Sequence, residues 1–355
     1  RQVAPVQQAA PPHHLRRRRV GAAGEGRRRE EAREQHEGGE VARGHGRAYR
    51  TGAERLQPPR RSLSPLLHAL EWSARRGGAL LAFGVFAGVL IPPLAAATRD
   101  VVTPVVACLM TLVLLRVDFA QVLGYLRRPL LVAATLAWVM LACPLIVFAI
   151  VRLAGLDGPL GAAVVIMATG CAATSSPAFA RLVGLDGEIS LVVAVLSTLL
   201  VPLTAPPLAL GLLGIDLAIS LEGLMARLAL VVGLPLILSL LIRRLAGPAR
   251  LARYGRATDG AVVLLVVLYG FGVMDGLQAK MIADPLWVAG GVALAFAGNF
   301  GLNLLTALAV RPFAGARVAL AAGLLSGNRN MALYFAVLPA TTDPRILLFF
   351  ALCQF

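Results

Sequence analysis

The stretch Leu324–Leu333 reads LLSGNRNMAL and sits inside an apolar run extending from about Val318 to Pro339. Gly327, Asn328, Arg329 and Asn330 thus fall together where the middle of a membrane helix is expected. On insertion scales an arginine at a bilayer centre costs about 2.5–3.5 kcal/mol. A membrane chain keeps such a residue where it faces protein or a water-filled space. The stretch therefore predicts a helix broken at mid-span, with its polar groups turned toward a site.

The composition agrees with a membrane chain. The 355 residues are 57% hydrophobic and 15% charged, with a mean hydropathy of +0.74. A soluble globular domain carries roughly 25% charged residues. The excess of apolar residues begins at Gly78. Residues 1–77 form a basic segment that carries half of the arginines, all five histidines and no lysine. Its runs LRRRRV and GRRREEAREQHEGGE lack helical or strand periodicity and cannot bury a core. This segment reads as a disordered cytosolic tail, or as upstream sequence that is not translated. Binding of nucleic acid or anionic headgroups is its functional alternative. The net charge of +15 belongs mostly to this tail and to short loops, so it makes no case for nucleic acid as a partner.

From Gly78 onward, apolar runs long enough to cross a bilayer as helices fall at about 78–97, 101–117, 129–153, 159–182, 188–214, 221–242, 258–279, 284–310 and 318–340. A tenth begins near 345 and is cut at Phe355, so the last helix is expected to be truncated. Arginines mark alternate connections: Arg127 and Arg128, then Arg181, then Arg243, Arg244, Arg250, Arg253 and Arg256, then Arg311 and Arg317. The intervening loops carry Asp157, Asp216, Glu222 and Asp284. The positive-inside rule then places the N-terminus in the cytosol of a multi-pass protein of the plasma (inner) membrane.

The fourth run is interrupted by GCAATSSPAFA (Gly170–Ala180) and the ninth by SGNRNMA (Ser326–Ala332). Matching polar or Gly/Pro breaks in corresponding helices of two halves point to an inverted-repeat transporter, with its site where the broken helices meet. Repeat one is expected over about 78–214 and repeat two over about 221–355. An ordinary kink is the bland alternative for either break alone. Thr174, Ser175, Ser176, Ser190, Ser326, Asn328, Arg329 and Asn330 are the candidate binding residues. Asn299 and Asn303, four apart on one helix face, and Asp275 are candidate cavity-lining residues. Asp275 and Glu188 are the nearest acidic partners for Arg329 by topology. Asn299 and Asn303 are equally explained as interhelical contacts.

Enzymatic function finds no support. The membrane part has no histidine, no paired carboxylates within a span, and only Lys280 as a lysine, so catalytic acid–base pairs and histidine metal sites are not expected. Cys108, Cys143, Cys171 and Cys353 lie singly in apolar runs without metal or disulfide spacing.

Four stretches resemble the bile acid:sodium symporter family. LVLLRVDFAQVLGYLRRP (Leu112–Pro129) is similar to the end of the family's second helix and the turn after it. AATSSPAFARLVGLDGEISL (Ala172–Leu191) resembles its helix-four crossover. VLSTLLVPLTAPPLAL (Val195–Leu210) is close to its helix-five run, and GNRNMAL (Gly327–Leu333) fits its helix-nine crossover. The resemblance implies an all-α membrane protein of about ten helices in two inverted halves, sodium coupling and an organic anion as substrate.

It also implies sodium ligands at named positions. The Ser-Asn pair of relatives falls on Ser175 and Ser176, and two helix-five hydroxyls fall on Ser190 and Ala194. An acidic residue shared by both sodium sites falls on Leu325, and a glutamine of the second site falls on Arg329. Helix three, Pro129–Leu153, contains no glutamine. Hard cations need oxygen ligands, usually including a carboxylate; here a carboxylate is missing and a fixed cation is present. The leading expectation is a carrier of a small organic anion working by alternating access, with Arg329 standing in for bound sodium and no other cofactor. Its rivals are a sodium symporter with a rebuilt ion site (Ser175, Ser176 and Ser190 as ligands) and a non-transporting sensor or assembly protein on the same fold. Substrate, coupling ion and oligomeric state are not legible.

Overall fold

The computed structural model describes residues 65–117, 122–124, 128–213 and 219–355. The charged segment before Pro65, Arg127, Asp216 and the Asp-Phe turn at 118–119 lie outside the described residues. Among the described residues all regular structure is helical, apart from a single isolated bridge at the crossing described below.

The chain enters through α1 (Pro65–Arg75) and α2 (Gly77–Leu90), then turns through 103° into α3 (Pro92–Arg99). Two features of this entry differ from the sequence reading. Helix begins at Pro65, within the segment assigned to the tail, and the run 78–97 bends at Ile91 instead of continuing straight. Proline at the first positions of α3 cannot supply the N–H that would continue the ladder from α2. The early start is fixed by packing. Ser73 is buried and its hydroxyl donates to the carbonyls of Leu70 and, at 3.2 Å, Gly260. A Cβ at Gly260 would run into the Leu70 backbone. Further along, Gly84 and Gly88, spaced as G-x-x-x-G, let α2 approach the backbone of Val267 and Gly270.

Next come α4 (Val102–Leu115), α5 (Pro129–Leu153), α6 (Pro159–Thr169), α7 (Ser176–Leu182) and α8 (Gly187–Leu213). α5 contains one π-helical turn, Trp138–Ala142. α9 (Leu221–Arg253) and α10 (Gly255–Val273) follow, then α11 (Leu277–Ala283), α12 (Pro285–Gly327), α13 (Ala332–Val337) and α14 (Pro344–Leu352). Gly247 and Gly315 break α9 and α12 with φ of 73° and 74°, a conformation that only glycine adopts at little cost. The break at Gly315 separates the runs expected as two helices. Asp284 caps α12 by accepting from the Trp287 N–H at 3.1 Å. A hydrogen bond from Lys280, then the Trp287 N–H, hold its carboxyl below the usual carboxylate range.

Among the described residues, five helices are long and apolar enough to cross a membrane, or six if the bent pair α2–α3 is one span. α4 and α6 are apolar but shorter. α6 is buried at every residue from Gly161 to Thr169, as expected of a helix that is hydrophobic all round. α9 and α12 occupy the periphery. Phe296, Phe300, Leu304 and Leu308, four residues apart, form an exposed apolar stripe on α12. α10 packs on α1–α4, whereas α6, α8, α12 and α14 pack around one another.

Candidate functional site

Both interruptions expected from the sequence are present, and they touch. α6 stops at Thr169 and α7 starts at Ser176; α12 stops at Gly327 and α13 starts at Ala332. The two intervening segments run antiparallel and pair through a bridge between Ala172 and Arg329. The Ala173 N–H donates to the Asn328 carbonyl at 2.8 Å, and the Asn330 N–H to the Cys171 carbonyl at 2.9 Å. Groups that leave the helical ladder inside a membrane must find partners within the protein, and here each break supplies some of the other's.

Arg329 supplies three more partners. It is 8% exposed. Its Nε donates to the Ser326 carbonyl at 2.7 Å, Nη1 to the Gly170 carbonyl at 2.8 Å, and Nη2 to the Val139 carbonyl at 2.9 Å. All three acceptors lie at irregularities. Ser326 is in the last turn of α12, Gly170 directly follows α6, and Val139 is in the π turn of α5. The C-terminal ends of α6 and α12 carry partial negative charge, so the guanidinium sits where two half-helix dipoles and three carbonyl oxygens favour a cation. Among the described residues it makes no ion pair. Asp275, one of the acidic candidates, instead pairs with Arg99 at 2.7 Å.

The positions at which the resemblance places sodium ligands are arranged differently. Leu325, completely buried, shares one apolar cluster with Ala194, Ala172, Ile189, Val193 and Ala321. The two positions lacking an expected oxygen therefore lie in the same dry cluster. Ser190 is buried and its hydroxyl donates to the Asp186 carbonyl at 2.9 Å. The Ser176 hydroxyl is buried without a hydrogen-bond partner. Thr174 is half-buried and Ser175 is exposed. The Ser326 hydroxyl donates within its own helix to the Ala322 carbonyl.

A cavity of about 500 Å³ opens beside the crossing, lined by Ser175, Asn299, Asn328 and Arg329 together with Met331 and several phenylalanines. Asn303 donates to Asn299 at 2.9 Å, and Asn299 donates to the Asn328 side chain at 3.1 Å. This amide chain joins α12 to the crossover. Gly327 makes the junction close, because a Cβ there would strike the Asn299 carbonyl and the Asn303 side chain. Asp275 lies apart from this group, in a second cavity of about 330 Å³ with Arg99 and Thr103.

Several supporting residues escape a reading of the sequence. Ser197 of α8 accepts from the Ala172 N–H at 3.2 Å. The Tyr334 and Thr169 hydroxyls are 2.6 Å apart and join α13 to the end of α6. Trp138, in the π turn, donates to Thr306 at 2.8 Å. Polar residues in otherwise apolar runs are the available signal for each, but their partners are not.

An all-helical membrane protein with two broken helices crossing at a buried cation has the layout of a carrier. The family model of the Sodium Bile acid symporter family matches residues 103–285, just over half of the chain, and the chain belongs to that family. The members of that family are membrane transporters of the bile acid symporter type, not enzymes. No match among curated proteins was found.

Proposed function

We propose that the protein is a secondary active transporter that moves a small organic anion by alternating access without sodium, its Arg329 guanidinium acting as a built-in cation. The observation carrying this reading is the placement of Arg329 against three carbonyl oxygens at irregularities in three helices. The burial of Leu325 with Ala194 supports it, since a dry apolar cluster offers a sodium ion no oxygen ligands. Arg329 also opens onto the larger cavity. A guanidinium has five N–H donors, and a buried positive charge whose partners are neutral carbonyls attracts an anion.

In this reading the protein forms ten spans as two inverted halves, at about 78–214 and 221–355. Loop arginines orient it in the plasma (inner) membrane with the N-terminus cytosolic. The substrate site lies at the crossing, where Ser175, Asn299 and Asn328 line the cavity.

A second reading, sodium coupling through a rebuilt site, is favoured by one observation: the buried Ser176 hydroxyl has no partner and is a free oxygen for an ion. Uptake of labelled organic anions into proteoliposomes, with an inward sodium gradient or with choline in its place, separates the two. Equal uptake in both is expected. Uptake that requires sodium selects the second reading, and no uptake of any anion leaves the sensor or assembly reading.

A further inference from the structure

The π turn of α5 is met at both ends by one hydroxyl. The Trp138 indole Nε1 donates to the Thr306 Oγ1 of α12 at 2.8 Å, and the Cys143 Sγ lies 3.8 Å from the same oxygen. Trp138 opens the turn and Cys143 directly follows it. Thr306 and Cys143 are both completely buried.

Between these two contacts the turn changes what the backbone offers. In an α-helix the Cys143 N–H would reach the Val139 carbonyl. Here it donates to the Trp138 carbonyl, one residue earlier. The next residue, Pro144, has no N–H to give. The Val139 carbonyl accepts instead from the Arg329 Nη2 at 2.9 Å. Thr306 precedes the Gly315 break of α12, and Arg329 follows the end of that helix. The turn is thus tied to the chain on both sides of the break.

We propose that Thr306 is a positioning residue for Arg329: by holding the Trp138 indole it keeps α5 in the π turn, and the turn aims the Val139 carbonyl at the guanidinium. This rests on the reading of Arg329 as a built-in cation and adds the device that fixes where its charge sits. Pro144 removes a competing donor, and the Trp138–Thr306 bond fixes the register of the turn against α12. Without the Thr306 hydroxyl the indole N–H loses its partner, which a buried tryptophan needs. The turn then relaxes, and Nη2 exchanges its acceptor for the cavity that Arg329 lines.

The test uses the full chain, free of ligand, in lipid nanodiscs. Phenylglyoxal modifies guanidinium groups, and its rate at each arginine is read by peptide mass spectrometry. Arg243, held by the carbonyls of Leu115 and Val117 at the end of α4, serves as the internal control. Thr306→Val is expected to raise the rate at Arg329 about three- to tenfold, the worth of one hydrogen bond, and to leave Arg243 unchanged. Trp138→Phe removes the donor without altering α12 and is expected to do the same, which keeps the test decisive should Thr306→Val not fold. Thr306→Ser retains the hydroxyl and is expected to match the unaltered protein. In thermal melts, Thr306→Val combined with Arg329→Lys is expected to lower the Tm by clearly less than the two single losses together, because both sever one chain of contacts. An unchanged rate at Arg329, equal rises at Arg329 and Arg243, a Thr306→Ser variant that behaves as Thr306→Val, or additive Tm losses overturns the proposal and leaves Thr306 a packing residue. Because every readout is taken without ligand, the carrier reading fails separately, by the absence of anion uptake in proteoliposomes.

Discussion

Arg329 ties the crossing together, and the proposed function rests on its charge. Its guanidinium donates to three carbonyls at irregularities of three helices. Shortening it to glutamine leaves acceptors buried without donors, at about 1–3 kcal/mol for each that water does not reach. Arg329→Gln is therefore expected to lower the Tm clearly and to abolish uptake. Lysine keeps the charge but offers one ammonium in place of a planar fork, so Arg329→Lys should retain part of the stability and little activity. Adding Leu325→Glu to Arg329→Gln restores a carboxylate and removes the fixed cation. The double variant is expected to recover stability and some uptake only when sodium is present. Recovery in choline as well as in sodium would show that the lost cation need not be replaced.

The crossing also depends on how closely its elements approach. Gly327 brings the end of α12 against the Asn299 carbonyl and the Asn303 side chain. Gly327→Ala forces these apart and is expected to cost about 1–3 kcal/mol, as overpacking does. Gly290 on the same helix faces open space, so Gly290→Ala should be neutral or gain up to about 1 kcal/mol in helix propensity. Thermal melts of the two variants, side by side, distinguish a tight junction from a general intolerance of alanine on α12. At this scale the sequence is informative about where helices break. Gly170, Pro177, Gly327 and Arg329 stand out because an apolar helix has no other use for them. It is silent about the partners, since Arg329 is bound by backbone carbonyls and every residue has one. The apolar cluster shared by Leu325 and Ala194 is likewise hidden, because residues so far apart in sequence come together only through the packing of α8 against α12. The start of α1 is obscured for a different reason. His68, Glu71 and Arg75 give Pro65–Arg75 the composition of the basic segment before it, while its helix is secured by contact with Gly260 of α10.

For the whole molecule, the entry helix sets which part of the N-terminal region matters. α1 packs along α10. Deletion of residues 1–64 is expected to leave membrane insertion and Tm unchanged, measured by membrane fractionation and melting. Deletion through Arg76 removes the Ser73–Gly260 contact and the basic flank of α2, and it should lower both yield and Tm. Equal behaviour of the two deletions would show that α1 contributes nothing to folding.

The claim that joins residue, crossing and transport is that the fixed charge of Arg329 occupies the place of a bound ion. Anything that binds the native state raises its melting temperature by mass action, so a sodium site reveals itself without knowledge of the substrate. The deciding measurement is the Tm of the purified, unaltered protein as sodium chloride replaces choline chloride at constant ionic strength, with potassium and lithium in parallel. A Tm that does not change with the cation is expected. A saturable rise specific to sodium would contradict the built-in cation and locate a bound ion that Arg329 does not replace.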